Sequence, residues 1–210
     1  MNKQPIILVG GGGHCISCID VIEQTGLYEI IGILDQPSKV GDKVLNYSII
    51  GTDDDIPLLA EKHQNFLITI GQIKSSKLRV NIYNRVKESN GKLPVIISPN
   101  AYVSKYALIE EGTIIMHDVL VNPSAKIGKG CIINSKALIE HEVIIGDFCH
   151  ISTSTSINGQ VIIENNTFIG SNAVVANNVR ITKDSIISAG SNVLKDIDIP
   201  GVYIGNSLKK

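Results

Sequence analysis

CIINSKALIEHEVIIGDFCHI, residues 131–151, places isoleucine at 133, 139, 145 and 151, one every six positions. The series runs unbroken in both directions, back to Val103 and on to Ile199. Four positions after each of these residues comes a smaller one, as in Ala125, Cys131, Ala137, Val143, Cys149 and Thr155, with Ile197 closing the set. A spacing of six fits neither the 3.6 of an amphipathic helix nor the two of a strand, so it signals a repeat architecture. Two inward phases, one large and one small, predict a parallel β-helix in which three short strands and three tight corners make one coil of about 18 residues. Residues 103–199 then span about 5.4 coils, a prism roughly 25 Å tall at the usual inter-strand spacing.

Before Val103 the pattern alternates. Ile6 to Val9 reads as a strand, Gly10 to Gly13 as a tight loop, His14 to Thr25 as a helix, and Ile30 to Leu34 as a strand ending in Asp35. A glycine-punctuated loop follows, then a helix from Asp53 to Lys62 capped by Thr52 or Asp53. A strand at Phe66 to Ile70 stops at Gly71, a polar-faced helix covers about Ser75 to Ser89, and Val95 to Ile97 is a last strand before Ser98-Pro99. Alternation of this kind predicts a parallel sheet that binds ligands at its strand C-termini. The chain therefore divides into an α/β, Rossmann-like domain at residues 1–99 and an all-β domain at residues 100–210.

Composition narrows the function. The 210 residues carry a formal net charge of -1, with no basic surplus for nucleic-acid binding. After Met-Asn-Lys-Gln-Pro the first apolar run, Ile6 to Val9, is too short for a signal or membrane segment, so the expectation is a soluble, cytoplasmic protein without membrane insertion. Cys15 and Cys18 form a C-x-x-C that suits a redox or metal pair, yet with Ile19 and Ile22 they also follow helical packing spacing. Cys131 and Cys149 share the small interior phase one coil apart and should stack about 4.8 Å from each other, which permits a disulfide or two buried thiols.

Two constellations carry candidate chemistry. Gly10-Gly11-Gly12-Gly13-His14 lies between a strand and a helix, with Asp35 ending the next strand. Such a loop lets phosphate approach the helix N-terminus while the acid reaches ribose hydroxyls. As G-x-G-x-x-G it fails at Cys15, so a nicotinamide dehydrogenase fits less well than a mononucleotide or an attached nucleotide, and a purely packing turn is the bland alternative. The second constellation is His141-Glu142 at a corner, with Glu140 before it and His150 nine positions on. An imidazole oriented by a neighbouring carboxylate can take the proton of an attacking amine or hydroxyl. Zinc held by His117, His141 and His150, as in the γ-class carbonic anhydrases, is a competing reading with poor spacing; His14, His63 and His117 equally suit plain surface positions.

With these residues in view the whole chain resembles the bacterial sugar acyltransferases of the PglD/NeuD type, which join a small Rossmann-like domain to a left-handed β-helix. It is most similar to the UDP-4-amino-sugar N-acetyltransferases of the bacillosamine pathway, with sialic acid O-acetyltransferases as cousins. The most specific stretch is Ile132 to Ser135 through Ile139 to Glu142, then Ile144 to Ile151. The resemblance implies acetyl-CoA as co-substrate, no metal, a nucleotide-linked amino sugar as acceptor, and a homotrimer with active sites between subunits. It implies His141 as general base, Glu142 as the carboxylate that raises its basicity, and Asn134 as an active-site residue. His150 would lie near the acetyl thioester, Ser171 and Ala189 would line the coenzyme groove, and Gly12, Gly13, His14, Asp35, Gln36 and Gly71 would hold the nucleotide-sugar. The sequence departs from the family at Cys15, Gln36, Ser98-Pro99 and Gly205-Asn206-Ser207. O-acetylation of a sialic acid and non-catalytic nucleotide-sugar binding remain the alternative functions.

Overall fold

In the computed structural model, residues 3–205 and 207–209 are described; Met1 and Asn2, Asn206 of the Gly205-Asn206-Ser207 stretch, and Lys210 lie outside them. The N-terminal sheet contains β1 (Gln4–Val9), β2 (Tyr28–Leu34), β3 (Lys43–Val44), β4 (Tyr47–Gly51) and β5 (Asn65–Ile68) in the order β3-β4-β2-β1-β5. All pairings are parallel except the hairpin β3–β4. The region expected to be only a glycine-punctuated loop thus holds two strands. Ile49 of β4 pairs with Ile33 and is buried, while its neighbours Ser48 and Ile50 face out, an alternation short enough to pass for loop.

Helices α1 (Gly13–Thr25), α2 (Ile56–Lys62) and α3 (Lys77–Glu88) cross over between or flank the strands. Helix α1 buries Cys15, Cys18, Ile19 and Ile22 on one face, and both cysteines are free thiols, as packing predicts. It ends at Gly26, whose left-handed φ of 64° lets its amide return to the Glu23 carbonyl. Thr52 caps the short 3-10 turn Asp53–Asp55 through a reciprocal box with Asp55.

From Ile96 the chain winds as a left-handed parallel β-helix with two-residue strands on three faces. Each strand pairs with its counterparts one coil before and one coil after it; Leu120 lies between Tyr102 and Leu138. The large phase from Ile115 to Val193 and the small phase from Thr113 to Ser191 are buried. Corners turn through residues with positive φ at every sixth position from Gly112 to Gly190, many of them Asn, Asp or Gly. Those types tolerate the left-handed region because they lack a bulky side chain or bond their own backbone. Cys131 and Cys149 stack inside as free thiols.

Two expectations change. The strand foreseen at the end of the N-terminal sheet, Ile96–Ile97, pairs instead with Ile114–Ile115 and opens the β-helix, because Ile97 already obeys the six-position period. At the other end the period breaks. Ile181 bridges Ile197 and Ile186 pairs with Val202, where a full coil would have brought Ile199 and Ile204, so the last coil is cut short. Ile197 goes inside and Ile199, the last member of the aliphatic series, is 63% exposed.

The N-terminal domain covers the near face of the prism, formed by strands from Ile96–Ile97 to Ile186–Ile187. Ile96, Ile114 and Ile132, which point outward from that face, are buried under it. Polar ties fasten the contact: His117 joins Ser98 Oγ (2.7 Å) to Asp20 (2.8 Å), and Tyr83 donates to Glu111 (2.6 Å). At the centre is Arg79, 1% exposed, donating to the carbonyls of Ile70 (2.6 Å) and Ile68 (3.3 Å) and to that of Gly130 (2.5 Å) across the boundary. Burial draws its pKa down to about 10, so it remains charged at neutral pH. Arg79→Ala strands these acceptors and leaves a cavity, an expected loss of about 2–5 kcal/mol. Urea unfolding followed by circular dichroism checks this, with exposed Lys77→Ala on the same helix expected to stay within about 0.5 kcal/mol of the parent.

Candidate active site: an anchoring cleft and a histidine corner

The C-terminal ends of β1, β2, β4 and β5 surround a cleft of about 660 Å³. Gly12, Gly13, His14, Asp35, Gln36 and Gly71, the residues expected to hold nucleotide-sugar, all line it. Gly10 turns with φ 107°, and a Cβ there would meet Ile70 Cγ1. The Gly11 amide donates to Asp35 Oδ2 at 2.8 Å, and a Cβ there would come within 2.9 Å of the same oxygen. Helix α1 starts behind Gly12 with no side-chain cap and no acid in its first turn, which leaves amide donors and the positive dipole end facing the cleft.

Asp35 is held from three sides. Oδ1 accepts from the Gln36 amide (2.7 Å), and Oδ2 also accepts from Lys39 Nζ (3.0 Å). Burial pushes this carboxyl up, but the Gln36 amide, the Lys39 ammonium and the Gly11 amide outweigh it and hold it below the usual carboxylate range. The side chain therefore shapes the glycine loop as well as facing a ligand. Lys39, Asp53 and Arg85 also line the cleft; the sequence offered no local motif for any of them.

Next to the cleft, His150 lies on the near face of the prism and is buried. Its Nδ1 donates to the Gln72 carbonyl at 2.6 Å, so Nε2 is the unprotonated nitrogen; it is buried without a partner. The ring meets Phe168 edge-on and lies 6.4 Å from the His14 ring. Gln72, absent from the sequence reading, also donates through Nε2 to the Phe148 carbonyl (2.8 Å) and so ties the Gly71 end of the cleft to the β-helix.

His141 occupies a different edge, the corner between Leu138–Ile139 and Ile144–Ile145. Its Nδ1 lies 3.1 Å from Glu142 Oε2, an oxygen that also accepts from Gln160 (3.2 Å). An ionised carboxylate only accepts, so Nδ1 carries the proton and Nε2 offers a lone pair. Glu142 reaches this position from a left-handed backbone, φ 59°. The imidazole lies over Gly159 in the next coil, where a Cβ would come within 2.7 Å of Nε2 and Cε1. The His141 side chain is 56% exposed.

Asn134, Ser171 and Ala189 belong to a third location, the corner that follows the near face. Asn134 Oδ1 accepts its own corner's Ser135 amide (2.9 Å), Ser171 Oγ meets Ser152 Oγ (2.8 Å), and the Gly190 amide donates to the Ser171 carbonyl (2.8 Å). Ser171 and Ala189 are thus stacked on adjacent coils. Within a protomer no described hydrogen bond or ring contact joins His141 to His150 or to this corner. The zinc reading would bring His117, His141 and His150 together across a subunit interface; within this chain they contact Asp20 and Ser98, Glu142, and the Gln72 carbonyl respectively. Among the described residues no cluster of His, Cys, Asp or Glu is arranged to hold a metal ion.

Two histidines, half-buried His14 and buried His150, have lowered pKa values. Burial, then the Arg79 charge and His150, bring His14 to about 3; burial, then Arg79 against the Gln72 hydrogen bond, brings His150 to about 4. The unfolded chain takes up these protons near 6.5, so below that pH it binds more protons than the folded chain. Their contribution to stability is complete above about 6.5 and is lost as pH falls towards 4 and below. Imidazole NMR should show neither ring titrating between pH 5 and 8; a midpoint above 6 for either would contradict this electrostatic picture.

Two family models match separate parts of the chain. Residues 5–86 match the PglD N-terminal domain, and residues 160–195 match the bacterial transferase hexapeptide (six repeats). The structure of PerB from Caulobacter crescentus in complex with CoA and GDP-perosamine superposes with a TM-score of 0.90 at 26% identity, covering 100% of this chain and 99% of that one. The acetyltransferase domain of PglB from Neisseria gonorrhoeae, in complex with acetyl coenzyme A, gives 0.90 at 25% identity over 99% of both chains. The H141A mutant of GDP-perosamine N-acetyl transferase from C. crescentus, with the same ligands, gives 0.90 at 26% identity over 99% of this chain and 97% of that one. The chain thus carries a PglD-type N-terminal domain followed by bacterial transferase hexapeptide coils, an arrangement that fits the PglD/NeuD-type sugar acyltransferases.

Proposed function

We propose that the protein transfers the acetyl group of acetyl-CoA to the amine of a 4-amino sugar carried on a nucleoside diphosphate. The carrier implied by the sequence resemblance is uridine diphosphate; that of the Caulobacter relative is guanosine diphosphate. The observation that carries the reading is the His141–Glu142 pair, a carboxylate-held imidazole with an outward Nε2, on a chain that also has a glycine-loop cleft. A scaffold or simple nucleotide binder has no use for such a corner. The amine acceptor follows the Caulobacter relative's name as an N-acetyl transferase.

In this mechanism the nucleotide sits at the glycine loop with its phosphates at the start of α1, and Gly12, Gly13, His14, Asp35, Gln36 and Gly71 hold the nucleotide-sugar. The coenzyme lies along the corner built by Asn134, Ser171 and Ala189, with His150 near the thioester. Nitrogen attacks the acetyl carbonyl carbon, Nε2 of His141 takes the amine's proton, and the carbon–sulfur bond breaks. Coenzyme A leaves as a thiolate, which recovers a proton from the imidazolium or solvent. Glu142 stabilises that imidazolium, and no acyl-enzyme forms.

The separation of His141 from the coenzyme corner within one protomer, and its exposure, support active sites completed by neighbouring subunits of a homotrimer. Outward-facing Tyr102, Leu108, Leu120 and Ile144 provide apolar surface on the two faces that the N-terminal domain leaves bare. With acetyl-CoA and a nucleotide-linked 4-amino sugar, His141→Ala should lower kcat about 10²–10⁴-fold while nucleotide affinity is retained. Gly159→Ala, which displaces the imidazole, should also lower kcat without unfolding the prism. Coenzyme release read with a thiol reagent decides the matter: parental turnover by His141→Ala removes this histidine as the base.

A further inference from the structure

The cleft extends away from the glycine loop to a second end. It lies between the segments leaving β2 and β4, with α3 opposite, and its lining includes Pro37, Asp53, Asp54, Leu78 and Arg85. By the usual geometry of such sheets, a nucleotide with its phosphates at the β1 loop and its ribose near the acid after β2 directs its base towards this end.

Three aspartates stand together here, and two have structural tasks. Asp55 accepts from the Thr52 amide (2.8 Å) and closes the capping box, while Asp54 pairs with Arg85 (2.7 Å). The Asp53 carboxylate has no hydrogen-bond partner among the described residues, and Asp53 lines the cleft. Burial raises its pKa; the Arg85 charge opposes the rise, and the negative charges of Asp35 and Asp54 add to it. Retaining a part-buried, unpaired carboxylate beside two others is unfavourable for folding, so its use is expected to lie in a ligand that brings donors.

We infer that Asp53 and Arg85 read the nucleobase and that the base is guanine. This rests on the cleft being the nucleotide site. A carboxylate can accept two parallel hydrogen bonds, and guanine N1–H with its 2-amino group presents two neighbouring donors pointing the same way. Uracil offers one donor, N3–H, flanked by two carbonyl oxygens that a carboxylate repels. Arginine pairs well with guanine's acceptor side, O6 and N7, and the Asp54 contact already steadies Arg85 at this end. Leu78, two helical turns before Arg85, and Pro37 add apolar surface for the ring faces.

Calorimetric titration of the intact protein with GDP, IDP and UDP tests this assignment, because IDP keeps N1–H but lacks the 2-amino group. GDP should bind at least about 10-fold more tightly than UDP, with IDP between them. Asp53→Asn should bring GDP within about twofold of UDP with a melting temperature no lower than the parent's. Equal or tighter binding of UDP by the parent overturns the base assignment and leaves the nucleotide cleft standing. Uniform weakening of all three ligands in Asp53→Asn makes Asp53 a ribose contact and also overturns it. Failure of all three to bind at millimolar concentration removes the cleft reading itself.

Discussion

In the C-terminal half the backbone must return above its own starting point once in every coil, because each two-residue strand has its hydrogen-bonding partners only in the coils above and below. An insertion or deletion changes which side chain fills an inward slot, as the final coil demonstrates: cut short, it seats Ile197 beside Ile181 where Ile199 would have been, and turns Ile199 out. The chemistry depends on the same return. Gly159 lies one coil on from His141 and makes room for its ring, Gln160 likewise meets Glu142, and Ser171 stacks with Ala189. The corners also set the backbone on which this is built, so that Glu142 holds the imidazole from a left-handed conformation other side chains would occupy at some cost.

The second constraint is the buried charge of Arg79. Its three carbonyl partners span the N-terminal domain and the prism, and its field helps to keep His14 and His150 neutral. Neutral rings suit a polar seam close to where an acetyl thioester and a charged nucleotide would both lie, since neither histidine then competes with His141 for the amine's proton. Docking, electrostatics and site geometry are consequently linked through one side chain on α3.

Periodicity made much of this legible in advance. Ile115 to Val193 point inward as their spacing requires, and the glycine run with Asp35 does line a cleft at the strand ends. The strand at Ile96–Ile97 belongs to the prism rather than to the N-terminal sheet; a single strand carries no period of its own, and only counting back six from Val103 identifies it. Gly159 was readable in principle, as the residue one coil beyond the candidate base. Arg79, Gln72 and Asp53 were not. A polar residue in an amphipathic helix or turn looks solvated from sequence, and only tertiary packing shows that Arg79 is buried or that Asp53 alone among its neighbours lacks a partner.

The central claim is that cleft and corner act on one acceptor molecule, with the nucleotide held in the N-terminal domain while the sugar's amine is presented to His141. The most direct measurement is kcat/KM for acetyl transfer to the nucleotide-linked 4-amino sugar compared with the same amino sugar free of its nucleotide. Binding energy from the remote nucleotide should be used to position the amine, so removing it should lower kcat/KM by orders of magnitude, with a fall in kcat as well as a rise in KM. Equal kcat/KM for the two acceptors would contradict the account, because the cleft would then have no part in the reaction.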